Sequence, residues 1–135
     1  MSTAGPQPPA SRAHLDKTFS QADFDAFARL SGDDNPIHCD PDFAARTHFG
    51  RTVAHGALLC AVLRRLVDDL YPGARQLSQH TQYPAPSPVG EALRFEVETV
   101  GTTGPDTARR LEISLKVTRL SDNEITCIGA TEIEI

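Results

Sequence analysis

The chain has 135 residues, of which 39% are hydrophobic and 23% are charged, and its formal net charge is −5. A chain of this size predicts one domain, and the acidic balance argues against a protein that binds nucleic acid through a basic face. No apolar run approaches the roughly 20 residues that a membrane helix needs, so we expect no membrane segment.

Residues 1–12 combine three prolines with Gly, Ser and Ala. Such a segment cannot bury enough apolar surface to order itself. We therefore expect a disordered proline-rich leader over 1–12 and one folded domain over 13–135. The leader has no apolar signal-peptide core, and the three cysteines (Cys39, Cys60 and Cys127) lack metal-ligand spacing. Both observations favour a reducing cytoplasm.

The first elements are a short strand over 14–18 and a helix that begins after Ser20. Ser20 suits the N-cap position, and Asp23 stands where a capping box places its acidic residue. Gly32 is a suitable helix end. A second, short helix is expected after Asp40, with a proline at its first position and Gly50 as its stop.

The segment 54–73, "AHGALLCAVLRRLVDDLYPG", predicts the main helix. Its apolar residues recur at helical spacing until the Pro-Gly pair, and they are Leu58, Leu59, Val62, Leu63, Leu66, Val67 and Leu70. After residue 76 the apolar period changes to two, which predicts strands. Those runs contain Leu93, Phe95 and Val97, then Leu111, Ile113, Leu115 and Val117, then Ile125, Cys127, Gly129, Thr131, Ile133 and Ile135. One long helix and a run of antiparallel strands indicate an α+β fold.

The loop "LSGDDNPIH" over 30–38 is the candidate site. Pro36 disfavours helical angles at Asn35, and Asn35 can bond to its local backbone, so the loop should be stiff. A carboxylate (Asp33) and an imidazole (His38) on a stiff loop can share one water molecule and move its protons. Alternatively, such acidic and amide residues only form a turn, and the histidine packs or faces solvent.

A resemblance favours the first interpretation. "FARLSGDDNPIHCDPDFAA" resembles the signature of the MaoC-like (R)-specific enoyl-CoA hydratases. "RTVAHGALLCAVL" and "QYPAPSPVGEALRFEVE" resemble the entry to that family's central helix and its following strand. The similarity covers most of 13–135. It implies a hot-dog fold, in which a curved antiparallel sheet wraps around one long helix and a short overhanging helix carries the catalytic loop. It also implies a homodimer or a dimer of dimers.

Carried over to this sequence, the resemblance implies that Asp33 and His38 form the catalytic pair. Asn35, Ser31 and Gly32 would support the loop. Gly56 would donate its backbone N–H to the thioester carbonyl oxygen, which suits a helix start because the first N–H groups lack partners there. We interpret the preceding His55 as a helix-start residue. No metal is expected, because no pair among His38, Cys39, His48 and His55 has the usual spacing of zinc ligands. No cofactor is expected beyond the coenzyme A, or the phosphopantetheine of an acyl carrier protein, that carries the substrate.

The expected substrate contacts are Leu30 and Ile37 at the pocket and the cations Arg46, Arg51 and Arg64 for carrier phosphates. Solvated surface is the alternative for the arginines. The implied reaction is (R)-specific hydration of a trans-2-enoyl thioester, or the reverse dehydration. Two alternatives stay open, a hot-dog thioesterase and a non-catalytic partner subunit. The five-residue spacing from Asp33 to His38 favours the hydratase.

Overall fold

The computed structural model describes residues 11–135. Most of the expected leader, 1–10, lies outside the described residues, and the first strand begins at Arg12. The elements in chain order are β1 (Arg12–Thr18), α1 (Gln21–Ser31), α2 (Pro36–Cys39), α3 (Pro41–Ala45), α4 (Gly56–Leu70), β2 (Arg75–Gln82), β3 (Ala92–Thr103), β4 (Arg110–Arg119) and β5 (Glu124–Glu134).

The five strands form one antiparallel sheet in the order β1-β3-β4-β5-β2. Shifts of register leave one extra residue in each of β2, β3 and β5, and such bulges bend and twist the strands. α4 packs against β1, β3 and β4. The α+β arrangement predicted from the sequence, a sheet around one long helix, is confirmed.

The core lies between α4 and one face of the sheet. The helix contributes its predicted apolar stripe, with Leu59, Leu63, Leu66 and Val67 buried. The sheet contributes alternate residues that are at most 3% exposed, namely Leu93, Phe95, Val97, Leu111, Ile113, Leu115, Val117, Cys127 and Ile133. Each buried Leu, Val or Phe side chain stabilises the fold by about 1.5–3 kcal/mol relative to an exposed one.

The predicted start and end of α1 are confirmed. Ser20 and Asp23 form a reciprocal capping box, and Gly32 ends the helix with a left-handed φ of 79°. The next segment differs from the expected loop, because Pro36 opens the helical turn α2, which the Asn35 side chain caps. A proline suits the first position of a helix, where no N–H partner is needed.

The second short helix also differs in length from the prediction. It starts after Asp40, as expected, but it ends at Ala45 and not near Gly50. Gly50 closes a later turn, with φ 77°. Within residues 11–135, no helix combines the length and the apolar character needed to cross a bilayer.

Candidate active site

Local hydrogen bonds orient the Asp33 carboxylate. The Asp33 N–H donates to Ser31 Oγ at 3.1 Å, and the Asn35 N–H donates to Asp33 Oδ1 at 3.3 Å. Asn35 Oδ1 in turn accepts the Ile37 N–H at 3.0 Å. These bonds use one carboxylate oxygen in the loop, so Asp33 Oδ2 stays available to a neighbour.

That neighbour is His38, whose Nε2 lies 3.8 Å from Asp33 Oδ2. The other ring nitrogen, Nδ1, lies 2.8 Å from the Val53 carbonyl oxygen. Because a carbonyl only accepts, Nδ1 carries a proton, and in the neutral ring Nε2 keeps its lone pair. The His38 side chain is 14% exposed and that of Asp33 is 56% exposed. The separation exceeds a direct hydrogen bond, so one water molecule can contact both groups.

Three further hydrogen bonds hold α2 in place. Gln21 Nε2 donates to the His38 carbonyl oxygen at 2.9 Å, and Gln21 Oε1 accepts the Thr52 hydroxyl at 2.6 Å. The Val53 N–H donates to the Ile37 carbonyl oxygen at 3.2 Å. The start of α1, the turn α2 and the segment before α4 therefore form one connected unit around His38.

His55 joins this unit and was missed as a site residue by sequence reasoning. It is 1% exposed, and its Nε2–H donates to the Asp33 carbonyl oxygen at 2.9 Å. Its ring stacks on that of His38, with centroids 3.8 Å apart, and the edge of Phe27 packs against it at 4.9 Å. Although His55 stands at the N-cap of α4, it makes no side-chain cap bond. One signal for a role of His55 was available in the sequence: it stands at the start of a helix but is not a capping residue.

Asp33, His38 and His55 also form the group most able to hold a cation among the described residues. Their donor atoms all lie within 4.8 Å of one another. Each imidazole already donates one N–H to a backbone carbonyl, so the remaining nitrogens would be His38 Nε2 and the buried, unpaired His55 Nδ1. The same three groups are equally suited to moving protons.

Gly56 begins α4 directly after His55. The Leu58 and Leu59 N–H groups donate to the His55 carbonyl oxygen. The Gly56 and Ala57 N–H groups precede the first helical bond, and the positive end of the helix dipole lies there. An added Cβ at position 56 would stand 2.7 Å from Tyr83 Cζ, so a larger residue there requires the Tyr83 ring to move. This position can therefore bring a backbone N–H close to an oxyanion.

A groove of about 700 Å³ opens beside Gly56. Its walls are His48, Phe49, Arg51, Val53, Ala54, Gly56, Leu59, Tyr83, Pro84, Ala85, Pro86, Ser87, Pro88, Arg119 and Thr126. Of these residues, only Arg51 and Gly56 were predicted from the sequence to belong to the site. The others come from the segment 48–54, from α4, from the segment 83–88 and from β4 and β5, and only the folded chain brings them together.

The predicted substrate contacts are dispersed. Arg51 lines the groove and donates to the Val89 carbonyl at 3.1 Å and to Glu91 at 2.9 Å. Arg46 is exposed at the end of α3. Arg64 donates to the Ala74 carbonyl oxygen at 2.7 Å, near the opposite end of α4 from Gly56. Leu30 is 83% exposed, and Ile37 is half-buried in α2.

Comparisons with known proteins agree with this fold and with the motif. The sequence profile described as "MaoC like domain" matches residues 5–120. An (R)-specific enoyl-CoA hydratase of Aeromonas caviae is 42% identical over 89 residues, which are 64% of this chain and 66% of that protein. A 3-hydroxybutyryl-CoA dehydratase of Methylorubrum extorquens is 41% identical over 88 residues, 62% of this chain and 55% of that protein.

Solved structures show the same fold. An (R)-hydratase from A. caviae involved in PHA biosynthesis superposes with a TM-score of 0.87 at 29% identity, over 98% of this chain and 99% of that chain. The HadBC dehydratase complex of Mycobacterium tuberculosis has the same fold, with a TM-score of 0.77 at 16% identity, over 92% of this chain and 94% of that chain. The aligned segments span about half to two thirds of the two curated relatives above. On the profile match and the fold, the chain belongs to the MaoC-like family and has its hot-dog fold.

Proposed function

We propose that this chain catalyses the (R)-specific hydration of trans-2-enoyl thioesters to 3-hydroxyacyl thioesters, or the reverse dehydration. The observation that carries the proposal is the pairing of Asp33 Oδ2 with His38 Nε2 at 3.8 Å. Relatives at about 40% identity that bear hydratase and dehydratase names support the same reaction.

In the proposed mechanism, Asp33 accepts a proton from a water molecule as its oxygen adds to the β-carbon of the enoyl group. His38 Nε2 accepts a hydrogen bond from the second O–H of that water and so orients it, and this hydrogen stays on the hydroxyl of the product. The pair then returns a proton to the α-carbon. Because Asp33 and His38 lie next to each other, both would act from one side of the substrate, and the oxygen and the proton would add to the same face. General acid–base catalysis of this kind typically contributes about 10²- to 10⁴-fold.

The carbonyl oxygen becomes negative as the water adds, and we propose that the Gly56 N–H stabilises it. The free N–H groups and the dipole at the start of α4 favour negative charge at that point. The groove beside Gly56 would hold the thioester. His55 connects this oxyanion position to the acid–base pair, since it precedes Gly56 and contacts both His38 and Asp33.

The remaining site assignments are also proposals. Leu30 and Ile37 would contact the acyl chain, and Asn35, Ser31 and Gly32 would keep the loop in shape. Arg46, Arg51 and Arg64 would meet the phosphates of coenzyme A or of an acyl carrier protein. Arg51 is the best supported of the three, because it lines the groove. Arg64 is the least, because its guanidinium bonds to the 71–74 turn and to Asp68.

We further propose that the chain works as a homodimer or a dimer of dimers in the cytoplasm. Two solved structures of the same fold, ChsH1-ChsH2 and HadBC of Mycobacterium tuberculosis, are described as complexes. A second copy would cover surfaces that are apolar but exposed here, such as Leu30 at 83%. Three free thiols suit a reducing compartment, although one 31% identical relative from Arabidopsis thaliana bears a mitochondrial name.

The test is to incubate the purified protein with trans-2-enoyl-CoA thioesters of increasing chain length and to record the loss of conjugated-enoyl absorbance. We expect (R)-3-hydroxyacyl-CoA as product, no release of free thiol, and activity that survives EDTA. Release of coenzyme A thiol would instead identify a thioesterase. A folded dimer inert toward every substrate would favour a partner subunit. Asp33→Asn is the matched inactive control.

A further inference from the structure

Two buried hydroxyl groups belong to the walls of the groove beside Gly56 and lack a hydrogen-bond partner. Ser87 is 3% exposed and Thr126 is 0% exposed, and both residues line the groove. Neither Ser87 Oγ nor Thr126 Oγ1 has a partner anywhere in residues 11–135. A buried hydroxyl that makes no hydrogen bond destabilises the folded chain, so such groups are uncommon and call for a partner. The proposed hydration steps use neither group.

A β-bulge accounts for the buried position of Thr126. Between β4 and β5, Cys127 pairs with Val117. The next pair joins Ile125 to Thr118, so Thr126 is an extra residue without a partner across the ladder. Cys127 is buried as well, so two successive residues of β5 are buried. Bulges beside active sites redirect a side chain in this way, and here the redirected side chain carries a hydroxyl.

Backbone hydrogen bonds place Ser87 beside the entry to α4. The Ser87 carbonyl oxygen accepts the Ala54 N–H at 2.9 Å, and the neighbouring Pro88 forms a bridge with Val53. Ala54 stands two residues before Gly56 in the chain. Ser87 is therefore held next to the segment that leads to the proposed oxyanion position.

The arginine beside these residues is already paired with a carboxylate. Arg119 lines the same groove, and its Nη1 donates to the Pro86 carbonyl oxygen, next to Ser87, at 2.7 Å. Its Nε and Nη2 donate to the two carboxylate oxygens of Asp122 at 2.9 and 2.7 Å. Because this positive charge is balanced, it adds little attraction for a second carboxylate. The two hydroxyls therefore suit an uncharged oxygen better than an anion.

We propose that the groove selects enoyl thioesters whose acyl chain carries an uncharged oxygen substituent, a hydroxyl or a carbonyl group, which Ser87 and Thr126 bind. The inference rests on the proposed function, because that function identifies the ligand as an acyl thioester. A side-chain hydroxyl can donate or accept, so both kinds of substituent can bond to it. An alkyl chain in the same place leaves the buried hydroxyls unpaired, and a site of this kind rejects the analogue that lacks the polar group.

The test compares pairs of trans-2-enoyl-CoA thioesters of equal length, in which one chain ends in a hydroxyl and the other in a methyl group. We expect the wild type to prefer a hydroxylated member by about 10-fold or more in kcat/KM. Ser87→Ala and Thr126→Val should each lower this preference by about 3- to 10-fold, and the double variant should abolish it. Thr103→Val is the matched control, because Thr103 Oγ1 is also buried and unpaired but belongs to the end of β3 and not to the groove. It should keep the wild-type preference.

A second measurement separates selectivity from catalysis. The saturated thioesters of the same pairs have no double bond to hydrate, and their binding raises the melting temperature. A larger rise with the hydroxylated member, lost in the double variant, supports the inference even where no enoyl thioester is hydrated, and in that case only the proposed function fails. The wild-type comparison stands without the variants, and melts without ligand show whether each variant folds.

Three results would overturn the inference. The first is equal melting shifts for the two members of every pair, or larger shifts with the methyl member. The second is a preference that Ser87→Ala and Thr126→Val leave unchanged. The third is a stronger preference for a thioester that ends in a carboxylate, because the groove would then select an anion.

Discussion

The imidazole of His55 lies face to face with that of His38, with ring centroids 3.8 Å apart and planes 21° from parallel. The same His55 ring donates its Nε2–H to the Asp33 carbonyl oxygen at 2.9 Å. One buried side chain thus contacts both ends of the proposed acid–base pair. It can fix their separation without touching the substrate, which makes it a positioning residue.

Two substitutions separate the contacts of His55. His55→Phe keeps a flat ring against His38 but leaves the Asp33 carbonyl without its donor, and His55→Gln keeps an amide N–H but removes the stack. We expect each to lower kcat about 10- to 100-fold with KM little changed, since a misplaced pair weakens the transition state more than binding. Steady-state kinetics with an active enoyl-CoA provides the measurement. A rise in KM of about 10- to 100-fold at unchanged kcat would contradict a positioning role.

Substitutions of Asp33 and His38 should lower kcat/KM non-additively, because the two residues act together. Asp33→Asn removes the proposed base and His38→Ala removes the group that orients the water, so each alone should cost about 10²- to 10⁴-fold in kcat/KM. The double variant should be little worse than the poorer single variant. Melting curves of all four proteins provide the control, because Asp33→Asn keeps the shape of the side chain. Multiplicative losses would mean that the two residues serve different steps.

Much of the fold could be predicted because its signals are local. The Ser20 cap, the left-handed Gly32 and the apolar stripe of α4 each depend on residues a few positions apart. Strand β5 contains a feature that local sequence patterns do not predict. Strict alternation predicts Cys127 inward and Thr126 outward, yet a register shift opposite Val117 and Thr118 leaves Thr126 buried as well. A bulge of this kind depends on the partner strand.

The site was predictable to the same extent. Asp33 and His38 share one short motif, so their proximity could be expected from the loop. His55 is 17 residues from His38, and their stacking depends on how α4 approaches α2. Tyr83 reaches Gly56 only because the segment after β2 passes over the start of α4. Contacts between distant segments carry no local signal in a single sequence.

The contact between Gly56 and Tyr83 leads to a third prediction. Gly56→Ala keeps the backbone N–H but places a methyl group 2.7 Å from Tyr83 Cζ. Tyr83 is 47% exposed, so its ring should move aside and the melting temperature should fall only slightly. We expect kcat/KM to fall about 10-fold or more, because an oxyanion donor displaced or obstructed by about 1 Å loses much of its effect.

A double variant distinguishes crowding from other causes. Tyr83→Ala should have a modest effect alone, and in the Gly56→Ala background it should recover part of the lost kcat/KM because the new methyl group then has space. The four proteins form a thermodynamic cycle with kcat/KM as its readout. Additive losses would show that the Tyr83 ring does not mediate the effect of the methyl group.

The sheet edges predict self-association. β1 and β2 each pair on one side only among the described strands, and an unpaired strand edge is a template for association. Light scattering at micromolar concentration should report a dimer or a tetramer. Leu30→Glu places a charge at an 83% exposed leucine. This variant tests whether a second copy of the chain covers that surface. A wild-type monomer under these conditions would contradict the proposed assembly.

Glu91 connects the groove to the sheet. One of its carboxylate oxygens accepts the Ser121 hydroxyl at 2.6 Å, and the other accepts Arg51 at 2.9 Å. These contacts, the Ser121 hydrogen bond first and the Arg51 guanidinium second, hold the pKa of Glu91 below its ordinary value. The ionised carboxylate is therefore favoured in the folded chain, and it keeps Arg51 against the groove wall.

The lowered pKa of Glu91 fixes the sign of a pH effect. A carboxylate whose pKa is lowered by folding stabilises the fold at pH values above its pKa in the unfolded chain, which is about 4.3 for Glu. That contribution disappears as the pH falls through the pKa of the folded chain. Glu91→Gln should therefore melt below the wild type at pH 7, and the difference should shrink as the pH falls below about 4. Thermal melts across pH measure it, with the exposed Glu112→Gln as matched control. A melting difference that is constant with pH, or one that grows in acid, would show that the ionised Glu91 does not stabilise the fold through these contacts.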